Sequence, residues 1–368
     1  VGYYAHTMRE RSARRRGPGP PPHVSQRGGV GSLTLAAVLP LGLGALLLVL
    51  DGNVAAQRAA TPARPSQAAD LDVVQLRPNF YVLAGGGGNV GVQVGPDGVV
   101  VVDSGTAARA VDIVAAIKKL SSQPIRYVIN TGPDADHVGG NETVAKAGQT
   151  ILNLNNAALS GLTNGGAAAV LAAEGVLRRM SAPTGQTAPF PTAAWPTETF
   201  DGRRSYMYLN GEGIETLHQG AAHTDADSVV FFRRTDVVMA GDVIDATRFP
   251  VIDVARGGSV QGEIDALNRL VELAIPSFPL VWQEGGTWVV PGHGRVYEQL
   301  DVVEYRDMVT IVRDRVRALI AEKRTLEQVK AARPARGYSG QYGADTGPWT
   351  TDMFVESVFR SLSQEKRP

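Results

Sequence analysis

A chain of 368 residues, 43% of them hydrophobic, can bury one large core or two modest ones. Its 36 basic and 36 acidic residues cancel, which removes the electrostatic case for nucleic acid or an anionic membrane surface as a partner. There is no cysteine, so disulfides, thiolate metal sites and cysteine nucleophiles are excluded, and the six histidines become the residues to follow.

Residues 1–56 differ from the rest. Arg9, Arg11, Arg14, Arg15 and Arg16 form a basic region, a Pro/Gly-rich spacer follows, and an apolar run extends from about Leu33 to Leu50 before the small residues Val54-Ala55-Ala56. The pattern is that of a signal peptide with an overlong basic region, or of a retained membrane anchor, and it predicts a periplasmic or secreted protein. The arginines lie too far from the apolar run for a good twin-arginine signal, and Met8 is a possible start. Residues 57–72 read as a flexible linker, 73–322 as the main domain and 323–368 as a helical tail.

Strands are predicted at Phe80 to Ala84 and Val90 to Val94, around a flexible hairpin of four glycines (85–88), and at the doubly buried run Val99 to Val102. Val111, Val114, Ile117 and Leu120 follow at helical spacing. Next come a strand from Ile125, an acidic loop with a helix to about Ala147, and a short strand at Thr150 to Leu154. The alanine-rich stretch Ala167 to Met180 predicts a helix, and the proline-rich segment 183–200, with Phe190 and Trp195, a lid over a site. Further strands are expected at Tyr206 to Leu209, Ile214 to Leu217, Ser228 to Phe232, Val237 to Ala240 and Trp288 to Val290, with Asn210-Gly211 as a tight turn. Helices are expected near 260–274, 300–321 and 352–362. Two face-to-face sheets with helices outside, a four-layered αββα sandwich, satisfy this order.

Beyond the leader four histidines remain: His137, His218, His223 and His293. The loop Asn130-Thr131-Gly132-Pro133-Asp134-Ala135-Asp136-His137 packs two carboxylates and an imidazole between a strand and a helix. Asp242, His293 and His223 each lie just past a predicted strand end. Polar groups at several strand ends on one sheet edge are how an α/β scaffold builds a site.

These motifs, in this order, resemble the metallo-β-lactamase-fold superfamily over roughly residues 73–322. In that family a His-x-His-x-Asp-His loop, a later histidine, a bridging carboxylate and a last histidine hold two metal ions. The resemblance carries Asp136 and His137 to the loop's Asp-His pair, His223 to the Ala-His-Thr histidine, Asp242 to the bridging carboxylate and His293 to the Pro-Gly-His-Gly histidine. It implies one complete metal site (Asp136, His137, Asp242, His293) and a second reduced to His223, Asp134 and a share of Asp242. Gly132 and Asp134 stand where the first two loop histidines belong. The expected ion is one Zn²⁺, with Fe²⁺ or Mn²⁺ as alternatives and a second ion weak or absent. Asp103 is expected to support ligand geometry, Asp227 to orient His223 or cap a turn, and His218 to be structural.

The resemblance implies an exported metal-dependent hydrolase, in which metal-bound water or hydroxide attacks an ester, thioester, lactam or phosphoester of a small molecule. Asp136 or Asp134 would position that water and take its proton. Two other classes stay open: a non-catalytic periplasmic metal-binding or scaffold protein, and an iron-dependent redox enzyme. Membrane contact is expected only through an uncleaved N-terminal segment.

Overall fold

The run Val99 to Val102 sends side chains to both faces of its strand, and all four are fully buried, so apolar layers must cover it on each side. In the computed structural model, which describes residues 70–151, 166–183, 185–277 and 285–364, this run lies in the middle of a seven-stranded sheet. The strands are β1 (Asp72–Arg77), β2 (Phe80–Ala84), β3 (Val90–Gly95), β4 (Gly98–Val102), β5 (Ile125–Ile129), β6 (Ala169–Ala173) and β7 (Glu198–Phe200), in that spatial order. Strands β1 to β4 pair antiparallel and β4 to β7 parallel. Helices α1 (Ala110–Leu120), α2 (Ala135–Val138), α3 (Asn141–Lys146) and α4 (Glu174–Met180) fall between the parallel strands.

The second sheet has five strands, β8 (Arg204–Leu209), β9 (Glu212–Gln219), β10 (Asp227–Phe232), β11 (Val237–Asp245) and β12 (Trp288–His293). Asn210 and Gly211 both take positive φ in the two-residue turn joining β8 to β9, as the Asn-Gly pair predicts. Helices α5 (Val260–Leu273), α6 (Gln299–Ala321), α7 (Leu326–Ala331), α8 (Ser339–Tyr342) and α9 (Thr351–Gln364) complete the chain. The Ser259 hydroxyl caps α5 by accepting from the Gly262 N–H at 2.9 Å.

Alternation sorts the core into three layers. Val100, Val102, Phe80, Ile129 and Leu171 face Val230, Phe232, Met239 and Val290 across the two sheets, with Phe80 edge-on to Phe232 at 4.8 Å. Val99 and Val101 instead meet Ile113 and Ile117 of α1 and Val144 of α3. On the outer face of the second sheet, Val238 and Val289 share a cluster with Leu267 of α5, Val309 of α6 and Phe354 of α9. The order of layers is helix, sheet, sheet, helix, the expected αββα sandwich.

The stretch 167–180 corrects one expectation. Ala169-Val170-Leu171-Ala172-Ala173 is a strand between β5 and β7, and only Glu174–Met180 is helical. The slot lies inside the sheet, between β5 and the edge strand β7, and is nearly all buried, and its pairing on two sides outweighs the helix preference of alanine. The helix predicted after the acidic loop is split, into α2 and α3. The N-terminal basic and apolar segments, nearly all of the 57–72 linker and most of the strand predicted at 150–154 lie outside the described residues. Among the described residues no helix is long and apolar enough to cross a membrane.

Phe354 ties α9 into the second core, stacked 4.7 Å from Phe249 and fully buried. Phe354→Ala is expected to lower unfolding free energy by about 3–5 kcal/mol, read by denaturant titration. A loss under about 0.5 kcal/mol, the range of surface substitutions, would show that α9 is not part of that core.

Candidate metal centre

Asp103 follows β4 directly, with φ at +62° and its side chain buried. Its carboxylate accepts from the Thr131 N–H at 2.8 Å and the Thr131 hydroxyl at 2.7 Å, and lies 2.8 Å from His137 Nδ1. With an acceptor on that side, the proton of the neutral imidazole sits on Nδ1 and the Nε2 lone pair points into the site. His137 is fully buried; its Nε2 lies 3.1 Å from Asp242 Oδ1 but out of line for a hydrogen bond, and so has no hydrogen-bond partner.

Around that atom the predicted residues converge. Asp136, His137 and His293 offer ligand atoms within 4.8 Å of one another, and so, as a second group, do Asp134, His223 and Asp242. His293 Nε2 is 3.1 Å from Asp136 Oδ2 and 3.6 Å from Asp242 Oδ1. Asp242 joins the groups, its other oxygen 3.9 Å from His223 Nε2. Asp134 points inward, 2.8 Å from His223 Nε2. All but the fully buried His137 line an open cleft of about 330 Å³.

A residue that the sequence reading missed also lines this cleft. The Arg256 guanidinium donates to Asp134 Oδ1 at 2.6 Å, and its Nη2 stands 3.4 Å from both Asp134 Oδ2 and His223 Nε2. No local motif marks it, because 122 residues separate it from Asp134. Asn89 was missed too: its side chain donates to the carbonyls of Pro291 and Gly294, both at 2.9 Å, and fixes the end of β12 that carries His293. Gly292 belongs to the same end of β12, where a Cβ would come within 2.6 Å of Asp242 Oδ1. Asn130 and Asn141 exchange side-chain hydrogen bonds of 3.0 and 2.8 Å and hold the acidic loop against α3.

Several expectations change in detail. Asp242 and His293 are the sixth residue of β11 and the last residue of β12, rather than lying beyond those strands. The ladder between them shifts register around Gly241, whose positive φ breaks the regular alternation just before Asp242. The 85–88 turn is packed in place: Thr106 N–H donates to the Gly86 carbonyl at 2.8 Å, and Gly88 abuts Gly292. Phe190 and Trp195 pack on Met180 and Val176 of α4, away from the cleft, so the described part of 183–200 is no lid. Asp227 accepts from Thr224 N and Oγ1 at 2.6 and 2.9 Å and so caps a turn. His218 pairs with the Asp225 carbonyl, outside the centre.

Charge is crowded here. Burial opposes ionisation of Asp242, yet His137, His223 and His293 hold its carboxyl well below the usual range. Burial likewise opposes charge on the imidazoles, but Asp242 and Asp103 raise His137 well above its ordinary value, and Asp134 and Asp242 bring His223 to about 10. For His293 the hydrogen bond to Asp136 leads, against burial, and the pKa again rises. Asp134 is pulled down to about 2 by His223 and Arg256 despite its burial. Glu263 of α5 is fully buried with neither carboxyl oxygen hydrogen-bonded, and burial pushes its pKa well above the ordinary value.

The fold and the site define a class: an αββα protein with its polar residues gathered from the strands β11 and β12 and from the loops after β5 and β9. A sequence profile of the metallo-beta-lactamase superfamily matches residues 83–276. The chain belongs to that superfamily. Among solved structures it is similar to a metallo-beta-lactamase from Pontibacter korlensis, 17% identical over 65% of this chain and 99% of that one, with a TM-score of 0.47. It is also similar to the stereoselective inverting sec-alkylsulfatase Pisa1 from Pseudomonas sp., 13% identical over 79% of this chain, with a TM-score of 0.55. A double mutant of that sulfatase scores 0.56 at 13% identity over 80% of this chain. The match spans 50% and 51% of the two sulfatase chains. No curated protein sequence matches the chain.

Superfamily membership suggests a metal-dependent hydrolase, and the first group fits an ion on its own chemistry. Two imidazoles and two carboxylates converge, one of them through a buried nitrogen with no other partner. Because both imidazole pKa values are raised when no ion is bound, metal uptake competes with protons for these nitrogens, and affinity is expected to fall as pH falls. Calorimetric Zn²⁺ titrations in buffers of different ionisation enthalpy should show net proton release at pH 7. Heats that do not change with buffer would contradict this charge assignment.

Proposed function

We propose that the protein is an exported hydrolase that works with one divalent ion, zinc by preference, held by Asp136, His137, Asp242 and His293. Its substrate is a small molecule with an ester, thioester, lactam or phosphoester bond. The observation that carries this reading is the convergence of four side chains from three distant segments on the unpartnered Nε2 of His137. An ion bound there supplies Lewis acidity and a nucleophile at neutral pH.

The chain's own residues divide the remaining work. Asp103 holds the His137 ring in the tautomer that presents Nε2 inward. Asp136, at the open cleft with 32% of its side chain exposed, is placed to take a proton from attacking water. Asp134 is a poor acceptor for that proton, since His223 and Arg256 engage both of its oxygens. Export is supported by the basic and apolar pattern of residues 9–56. The engagement of Asp134 is the one observation that favours a non-catalytic, metal-holding descendant instead.

Metal analysis of the purified chain beside an Asp242→Ala variant tests the reading. Wild type should carry about one ion per chain, and the variant should lose metal affinity by about 100-fold or more, with hydrolysis of generic ester, phosphodiester and β-lactam substrates falling alongside. Sub-stoichiometric metal in wild type, unchanged in the variant, would reject it. Full metal with no turnover on any substrate class would favour the non-catalytic descendant.

A further inference from the structure

Arg256 is held from behind as firmly as from the front. It ends a single 3-10 turn, Val254–Arg256, capped by Asp253, whose Oδ1 accepts from the Arg256 N–H at 3.0 Å. The Arg256 carbonyl accepts from Arg179 Nη2 at 2.6 Å and from the Asp225 N–H at 3.1 Å. Asp253 Oδ2 takes the guanidinium Nε at 2.6 Å, while Asp134 takes Nη1 at 2.6 Å. The planar cation is thus clamped between two carboxylates, with one edge against His223. That place is the second ligand group, Asp134, His223 and Asp242.

We infer that the Arg256 guanidinium serves as the second cation of the centre, standing in place of a second metal ion, with Asp134 as its matched anion. This deepens the one-ion reading above and rests on it. A divalent ion among Asp134, His223 and Asp242 would sit beside a permanent positive charge in a partly buried site, where like charges repel strongly. A neutral imidazole at position 134 has one acceptor nitrogen and cannot receive two prongs of a guanidinium, whereas a carboxylate can. Gly132 fits the same account. A Cβ there would meet only Asp227 Oδ1, at 3.6 Å, so nothing crowds a side chain out; no ligand is needed at that position. Arg256 is a positioning residue in this scheme, acting through Asp134.

The full chain, stripped of metal and titrated with Co²⁺, tests the inference by metal count and visible spectrum, independent of turnover. Wild type should saturate at one equivalent, and Arg256→Ala should gain a second, weaker equivalent with its own absorption bands. Arg256→Lys, which keeps the charge, should stay at one. Two equivalents in wild type, or one in the alanine variant with its fold intact by circular dichroism, would overturn the inference and leave the one-ion reading standing. No equivalent in wild type would instead remove that reading. Should the alanine variant fail to fold, the wild-type count still decides, because a second ion bound beside Arg256 contradicts the proposal outright.

Discussion

The geometry of the centre depends on one buried carboxylate that is not itself placed to touch a metal. Asp103 sits in the left-handed region of backbone space, which costs a non-glycine residue of order 1–3 kcal/mol. Three charge-assisted hydrogen bonds offset that cost, from Thr131 N–H, Thr131 Oγ1 and His137 Nδ1. They fasten the end of β4 to the loop after β5 and choose the imidazole tautomer. Without Asp103, three buried donors would lose their acceptor, and nothing would hold the His137 proton on Nδ1. The orientation of the acidic loop, and through it of Asp134 and Asp136, follows from that fastening.

A second constraint is electrostatic. Asp103, Asp134, Asp136 and Asp242 bring four carboxylates into one small region. A region so acidic can be neutralised by protons on imidazoles, by metal ions or by a fixed organic cation. The protein provides for all three. The raised histidines show the first at work, the unpartnered nitrogen of His137 suits the second, and Arg256 is the third. Arg256 differs from the other two because it neither dissociates nor titrates, so the positive charge it sets beside Asp134 is fixed.

How much of this was legible in the sequence follows from the range of each interaction. Val99 to Val102, the Asn210-Gly211 turn and the helical spacing of α1 are local patterns, and the fold came from them and from the order of the motifs. Asp136, His137, His223, Asp242 and His293 could be placed because each sits beside a glycine or strand end that announces a loop. The strand Ala169–Ala173 reads as a helix in sequence because its composition favours helix, and only its neighbours β5 and β7 make it a strand. Arg256 and Asn89 had no signal at all. Their roles exist only across 122 and roughly 200 residues of intervening chain, through partners that no spacing rule connects.

The absence of two histidines from the acidic loop therefore cannot be weighed by counting ligands alone. Counted that way, Gly132 and Asp134 look like damage to a two-metal centre. Counted as charge, losing an imidazole at 132 removes a neutral donor, exchanging one for aspartate at 134 adds a negative charge, and Arg256 returns a positive one beside it. The last two changes support each other: Asp134 without Arg256 would keep only His223 as a charged partner, and Arg256 facing a histidine would keep only Asp253. What survives at the other group is a full set of nitrogen and oxygen donors around a buried lone pair. A loop in simple decay has no reason to keep that set intact while building a clamped guanidinium into the position it gave up.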